Sequence, residues 1–117
     1  MSIRTERVAQ LIKEEISQTL TRDIETEGYG LLTVTDVIMT PDLRIAKVYI
    51  SHFQSGKTDD EILSFLDENE KHIRMAVGKN VRLKFTPELR FFIDQTLDRV
   101  ERLEELIRKI HEDENSR

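Results

Sequence analysis

The residues of this chain best suited to chemistry are cations. Between positions 71 and 90 stand Lys71, Arg74, Lys79, Arg82, Lys84 and Arg90, with Glu88 the only acid among them. The 117-residue chain is otherwise acidic, and its formal net charge is −5. Salt screens charges beyond about 8–10 Å, so a local patch of one sign, not the net charge, steers a polyanion at close range. The patch straddles Ala76-Val77-Gly78, where a kink is expected because Gly costs about 1 kcal/mol relative to Ala inside a helix. A short helix over about 79–83 would follow. Its first free N–H groups could receive a phosphate, with Lys79, Arg82 and Lys84 adding attraction and counterion release. Such contacts read backbone and shape, not bases. A charge run is as often no more than a wet helix face.

Other chemistries find less support. His52, His72 and His111 are not at metal-binding helix spacing, so no metal site is expected. His52 reads as a strand surface or edge residue. Asp36, Asp42 and Asp94 read as strand surface, turn and strand end. General acid–base catalysis needs converging groups in a pocket, and no nucleophile elbow or phosphate-binding glycine loop is present. No cofactor is expected. Phe91 and Phe92 could stack nucleic-acid bases, but neighbours on a strand alternate, so one of them should point into the core. With no cysteine in the chain, disulfides, thiolate metal sites and cysteine nucleophiles are excluded. The opening Met1-Ser2-Ile3-Arg4 carries no apolar signal stretch, and no run of about 18 apolar residues occurs. A cytoplasmic chain without a membrane span is expected.

The elements that must position the cations follow from periodicity. Val8, Leu11, Ile12, Ile16 and Leu20 recur at helical spacing and predict a first helix over 3–21. Gly28 and Gly30 mark a loop. Residues 31–40 and 45–53 predict an antiparallel hairpin turned by Thr40-Pro41-Asp42. On the second strand Ala46, Val48 and Ile50 share one face, while Lys47 and Tyr49 share a wetter one. Thr58 and Glu61 have capping-box spacing before a helix carrying Ile62, Phe65, Leu66, Ile73 and Val77. Its pattern is interrupted at Asn69-Glu70 and again at residues 76–78. Leu89, Phe91 and Ile93 alternate as a third strand. Val100, Leu103, Leu106, Ile107 and Ile110 predict a closing helix over about 97–110, better suited to core packing than to a dimer seam. Three strands cannot cover two faces, so a two-layer α+β sandwich is expected. Residues 1–110 read as one domain and 111–117 as a polar tail.

This order, α-β-β-α-kink-α-β with an appended C-terminal helix, resembles the type II KH fold, an RNA-binding architecture. Where that fold carries a G-x-x-G loop, Ala76-Val77-Gly78 resembles the Ala-x-Gly kink of the bacterial ribosome-binding factor A family. Arg4-Thr5-Glu6-Arg7-Val8-Ala9 looks like that family's first-helix signature. Leu32-Thr33-Val34-Thr35-Asp36-Val37 and Pro41-Asp42-Leu43-Arg44-Ile45-Ala46-Lys47-Val48-Tyr49-Ile50-Ser51 look like its hairpin. Val81-Arg82-Leu83-Lys84, then Pro87-Glu88-Leu89-Arg90-Phe91 and Asp94, look like its third-strand region, and Arg102-Leu103-Glu104-Glu105-Leu106-Ile107 resembles its closing helix. The resemblance covers about residues 3–110. It implies a non-enzymatic, cytoplasmic assembly factor that binds the immature small (30S) ribosomal subunit through 16S ribosomal RNA. It also implies a role in 5′-end maturation of that RNA and in growth in the cold, with release helped by an assembly GTPase. The family's basic stretch after the first helix is replaced here by Asp23-Ile24-Glu25-Thr26-Glu27-Gly28.

The expected RNA site is Lys79, Asn80, Arg82 and Lys84 beside the Ala76-Val77-Gly78 kink, bordered by Arg74 and Arg90. Arg4 and Arg7 at the start of the first helix are outlying candidates. A monomer is expected. Two other readings stay open: a protein-interaction module using the wet sheet face or the last helix, and a small α+β enzyme.

Overall fold

The computed structural model describes residues 3–24 and 26–95. The predicted closing helix and the 111–117 tail lie outside the described residues. The described chain runs α1 (Ile3–Arg22), β1 (Leu31–Met39), β2 (Ile45–Phe53), α2 (Asp59–Glu68), α3 (Glu70–Asn80) and β3 (Glu88–Ile93).

α1 buries Val8, Ile12, Ile16 and Leu20, one residue per turn along a single stripe. Leu11, expected on that stripe, is exposed, and Thr19 is buried instead. A strict i, i+4 row turns Leu11 about 100° from Ile12, past the edge of the contact. Thr19 tolerates burial because its hydroxyl donates to the Glu15 carbonyl at 2.8 Å. After α1 the chain closes on the end of β2 through Gly30, whose φ is +67°. A Cβ there would run into the Phe53 carbonyl and the Ser55 backbone, so only Gly fits.

β1 and β2 form the expected antiparallel hairpin, with a bulge between Val34 and Asp36 that leaves Thr35 unpaired in the register. At the turn the Thr40 hydroxyl donates to Asp42 Oδ1 at 2.6 Å, and the Arg44 N–H donates to the same oxygen at 3.1 Å. These bonds hold the Asp42 carboxyl below its ordinary pKa and confirm its turn role. β3 pairs in parallel with β2, from Ile45 opposite Glu88 to Ile50 opposite Ile93, and the sheet order is β1-β2-β3. β2 is therefore central, and its Ala46, Val48 and Ile50 are wholly buried. These residues join Leu89 and Phe91 of β3 and the apolar rows of all three helices in one cluster. The helices therefore share one face of the sheet, and the layers are those expected of an α+β sandwich.

The helix break is where the structure departs from expectation. α2 is capped by Thr58, whose hydroxyl accepts the Glu61 N–H at 3.2 Å. It ends at Asn69, whose φ and ψ are −99° and 3°, and whose side chain donates to the Phe65 carbonyl at 2.9 Å. α3 then runs unbroken through Ala76, Val77 and Gly78 to Asn80. There is no kink at Gly78 and no helix over 79–83. Val81 is already extended, with φ −110° and ψ 120°. The physical reason is burial. Ile73 and Val77, four apart, are both fully buried, and the row they continue outweighs one glycine near the helix end. Gly78 serves a close approach instead: a Cβ there would stand 2.7 Å from Thr86 Oγ1.

Candidate nucleic-acid interface

The two inward residues of α3 fix what its other side presents. With Ile73 and Val77 in the core, Lys71, Arg74, Met75, Gly78 and Lys79 all face solvent. Their spacing of three, one, three and one is that of a helical stripe, so they form one ridge. Met75 stands at its centre and is 67% exposed.

The segment after α3 extends the ridge. Val81 and Pro87 are buried, and Leu83 packs on the core. Arg82, Lys84 and Phe85 therefore point outward, with Lys84 Nζ 5.6 Å from the Phe85 ring centroid. Arg74 fastens the segment to α3 by donating to the Thr86 carbonyl at 3.2 Å. Asn80 ties α3 to α1, its amide donating to Glu15 Oε1 at 2.6 Å. Two open grooves flank the ridge and share Lys71 and Met75. One, of about 520 Å³, reaches Arg74, Gly78 and Thr86. The other, of about 600 Å³, reaches His72, Lys79 and Asn80.

Acids flank the ridge without closing on its cations: Asp23 and Glu68 line the larger groove and Glu70 the smaller. Among the described residues the ion pairs are His52–Asp59 and Arg90–Glu88. Lys71, Lys79, Arg82 and Lys84 enter neither. Four exposed cations that enter no ion pair among the described residues suit phosphates, which need charge and donors but no deep pocket. No helix starts after Gly78, so the expected phosphate site on free helix N–H groups is absent, and the lysine and arginine side chains carry the attraction alone.

The structure puts Arg74 and Lys79 on the ridge, leaves Arg82 and Lys84 exposed on the segment that Arg74 ties to it, and gives Asn80 a positioning bond. It separates the other expected residues. Arg90 is on β3, where Leu89 and Phe91 point inward, so Arg90 faces out from the sheet and pairs with Glu88 at 3.4 Å. It does not border the ridge. Arg4 and Arg7 are exposed on the first turns of α1, roughly 12–17 Å along the helix from Glu15, where α3 is tied. Lys71, Met75 and Phe85 were missed as ridge residues. The i, i+4 row Lys71-Met75-Lys79, read against the buried row Ile73-Val77, is the signal that would have found the first two.

One cluster brings together the side-chain types of a catalytic triad at the junction of β2 and α2. His52 Nδ1 lies 2.6 Å from Ser55 Oγ, and His52 Nε2 lies 2.9 Å from Asp59 Oδ1. Ser55 Oγ also accepts the Lys57 N–H at 3.1 Å, and Gln95 donates to Asp59 Oδ2 at 3.0 Å. These bonds staple the end of β2 to the first turn of α2. The His52 bond, then the Gln95 bond, hold the Asp59 carboxyl below its ordinary pKa. Asp36 accepts the neighbouring Val37 N–H, and Asp94 accepts the Thr35 hydroxyl at 2.6 Å. The three candidate carboxylates do not converge. Among the described residues no group of His, Asp or Glu could hold a metal, and no helix is long and apolar enough to cross a membrane.

Comparison with known proteins agrees with the architecture. The family described as Ribosome-binding factor A matches residues 4–107. The chain is 38% identical over 108 residues to the ribosome-binding factor A of Vibrio campbellii, covering 92% of this chain and 80% of that one. The crystal structure of ribosome-binding factor A from Thermus thermophilus superposes with a TM-score of 0.68 at 21% identity, over 76% of this chain and 94% of that one. Coordinates of the Thermus thermophilus factor fitted into a cryo-EM map of its 30S complex superpose with a TM-score of 0.63 at 24% identity, over 79% and 96% of the two chains.

Proposed function

The chain belongs to the ribosome-binding factor A family, and from that premise we propose that it binds the immature small ribosomal subunit through 16S ribosomal RNA. The observation that carries this reading is the α3 ridge and the segment after it, with four exposed cations that enter no ion pair among the described residues. The 30S complex of the Thermus thermophilus factor supports the choice of partner.

In this reading Lys71, Lys79, Arg82 and Lys84 grip the RNA backbone. Arg74 and Asn80 mount the ridge on the segment 81–87 and on α1. Arg4, Arg7 and Arg90 stand away from it and would meet a large RNA only at its margins. Binding holds an immature RNA conformation, promotes maturation that includes 5′-end processing, supports growth in the cold and delays entry into translation. The protein acts by binding, without turnover, as a cytoplasmic monomer in a single domain, and an assembly GTPase aids its release.

Sedimentation with separated small subunits, large subunits and intact ribosomes at two salt concentrations tests the proposal. Selective, salt-sensitive co-migration with free small subunits is the expected result. Absence of co-migration at low salt would overturn it, and co-migration that survives ribonuclease would replace it with a protein-docking role.

A further inference from the structure

The outward face of the sheet carries a second arrangement, independent of the ridge. β2 and β3 are parallel and in register, so Lys47 stands beside Arg90 and Tyr49 beside Phe92. All four point away from the helices. The Tyr49 and Phe92 rings are stacked, with centroids 5.5 Å apart and planes 27° from parallel. β3 is an edge strand among the described residues, so the stack ends at Phe92, which is 40% exposed.

Two like charges side by side on neighbouring strands repel, and an anion between them removes the repulsion. Glu88 answers Arg90 alone, from 3.4 Å, and Lys47 has no ion-pair partner among the described residues. The acid on the other side, Asp36, is opposite Tyr49, away from Lys47. Charge thus favours a phosphate at the Lys47–Arg90 end and disfavours one at the aromatic end. The two ends are two residues apart, about 6.6 Å along the strand, which is the reach of one nucleotide.

We infer that this face is a contact for unpaired RNA. One base extends the Tyr49–Phe92 stack, and its phosphate lies over Lys47 and Arg90. A π-face and a cation pair at that separation fit a single-stranded nucleotide better than a duplex, whose bases are already stacked. The site stands on the sheet residues alone, so it does not depend on the ridge.

The test is anisotropy of a short fluorescein-labelled oligouridine with the full chain, followed by ultraviolet cross-linking and peptide mapping. Phe92→Ala should weaken binding about tenfold. Phe92→Trp should bind at least as tightly as the parent. Lys47→Ala should lower the salt slope by about 0.7. Phe92→Leu keeps an apolar side chain but no ring, and should weaken binding like Phe92→Ala if folding is intact. Cross-links should map to peptides holding Tyr49 or Phe92. Parental affinity in Phe92→Leu, cross-links confined to residues 71–85, or no oligouridine binding by the parent would each overturn the inference. Replacing Lys71, Lys79, Arg82 and Lys84 with Ala separates it from the ridge: Phe92-dependent binding of oligouridine should survive in that variant whether or not subunit binding is lost.

Discussion

The α3 ridge and the outer sheet face are both exposed and both carry cations, yet they offer different things. The ridge and the segment after it carry four cations that enter no ion pair among the described residues, and one flexible thioether stands at the ridge centre. The sheet face carries two rigid rings in contact, and one of its two cations is already paired. A convex helix edge spreads charge along a line and suits the regular spacing of phosphates. A flat pleated face fixes ring planes and suits a base. Electrostatic binding of the first kind weakens steeply with salt, whereas stacking of the second kind does not.

The largest effect that could break this contrast is removal of the ridge charges. Converting Lys71, Lys79, Arg82 and Lys84 to Ala should flatten the salt slope of subunit binding by up to about one unit per lost phosphate contact. None of the four enters an ion pair among the described residues, so each substitution should change stability by less than about 0.5 kcal/mol in urea denaturation. An unchanged slope would remove the ridge from the interface.

The mounting of the ridge comes next. Gly78→Val places a branched side chain where even a Cβ lies 2.7 Å from Thr86 Oγ1. Overpacking of this kind costs about 1–3 kcal/mol, read by urea denaturation. Binding should fall with it, because Arg74 reaches the Thr86 carbonyl from the same helix. Native stability and native binding together would show that the contact is slack.

A smaller effect is expected at the break that aims α3. Asn69→Ala deletes the side-chain bond to the Phe65 carbonyl and should cost about 1 kcal/mol by the same denaturation assay. Full stability would mean that the backbone bonds from the Asn69 N–H to Phe65 and Leu66 suffice.

The smallest effect lies in the staple between β2 and α2. The Asp59 carboxyl is held below its ordinary pKa, first by His52 and then by Gln95. A depressed carboxylate contributes stability that is present above its unfolded pKa, near 3.8, and that is lost as pH falls through the folded value. The parent should therefore lose stability more steeply than Asp59→Asn as pH drops below about 4. Parallel curves would show that the bond adds nothing to folding.

Periodicity located the described elements because burial imposes it. The row Val8-Ile12-Ile16-Leu20, the alternation of Ala46-Val48-Ile50 and the inward Phe91 with outward Phe92 are what one core face demands of helices and strands. The helix break was legible only as a choice. Both Asn69-Glu70 and Ala76-Val77-Gly78 interrupt the pattern, and composition favours the glycine. The structure breaks at Asn69, because Ile73 and Val77 both belong to one buried row and a kink between Val77 and Lys79 would lift that row off the sheet.

The candidate site was half legible for a similar reason. Charge clustering between residues 71 and 90 is a property of the chain, and it named Arg74, Lys79, Arg82 and Lys84. Whether neighbours in sequence share a surface is not a property of the chain. Arg90 follows the ridge closely in sequence but lies on the outer sheet face, because a strand sends alternate residues to opposite sides. Lys47 lies far before it in the chain and stands beside it, because parallel pairing joins strands that a two-helix crossover separates. The segment 79–83 and Leu11 aside, the sequence by itself determined the element types, the inward faces and the signs of the charges, which follow from local spacing and side-chain chemistry. Only the tertiary structure decided which charges are neighbours and which helix residue ends the run, because both depend on contacts between segments distant along the chain.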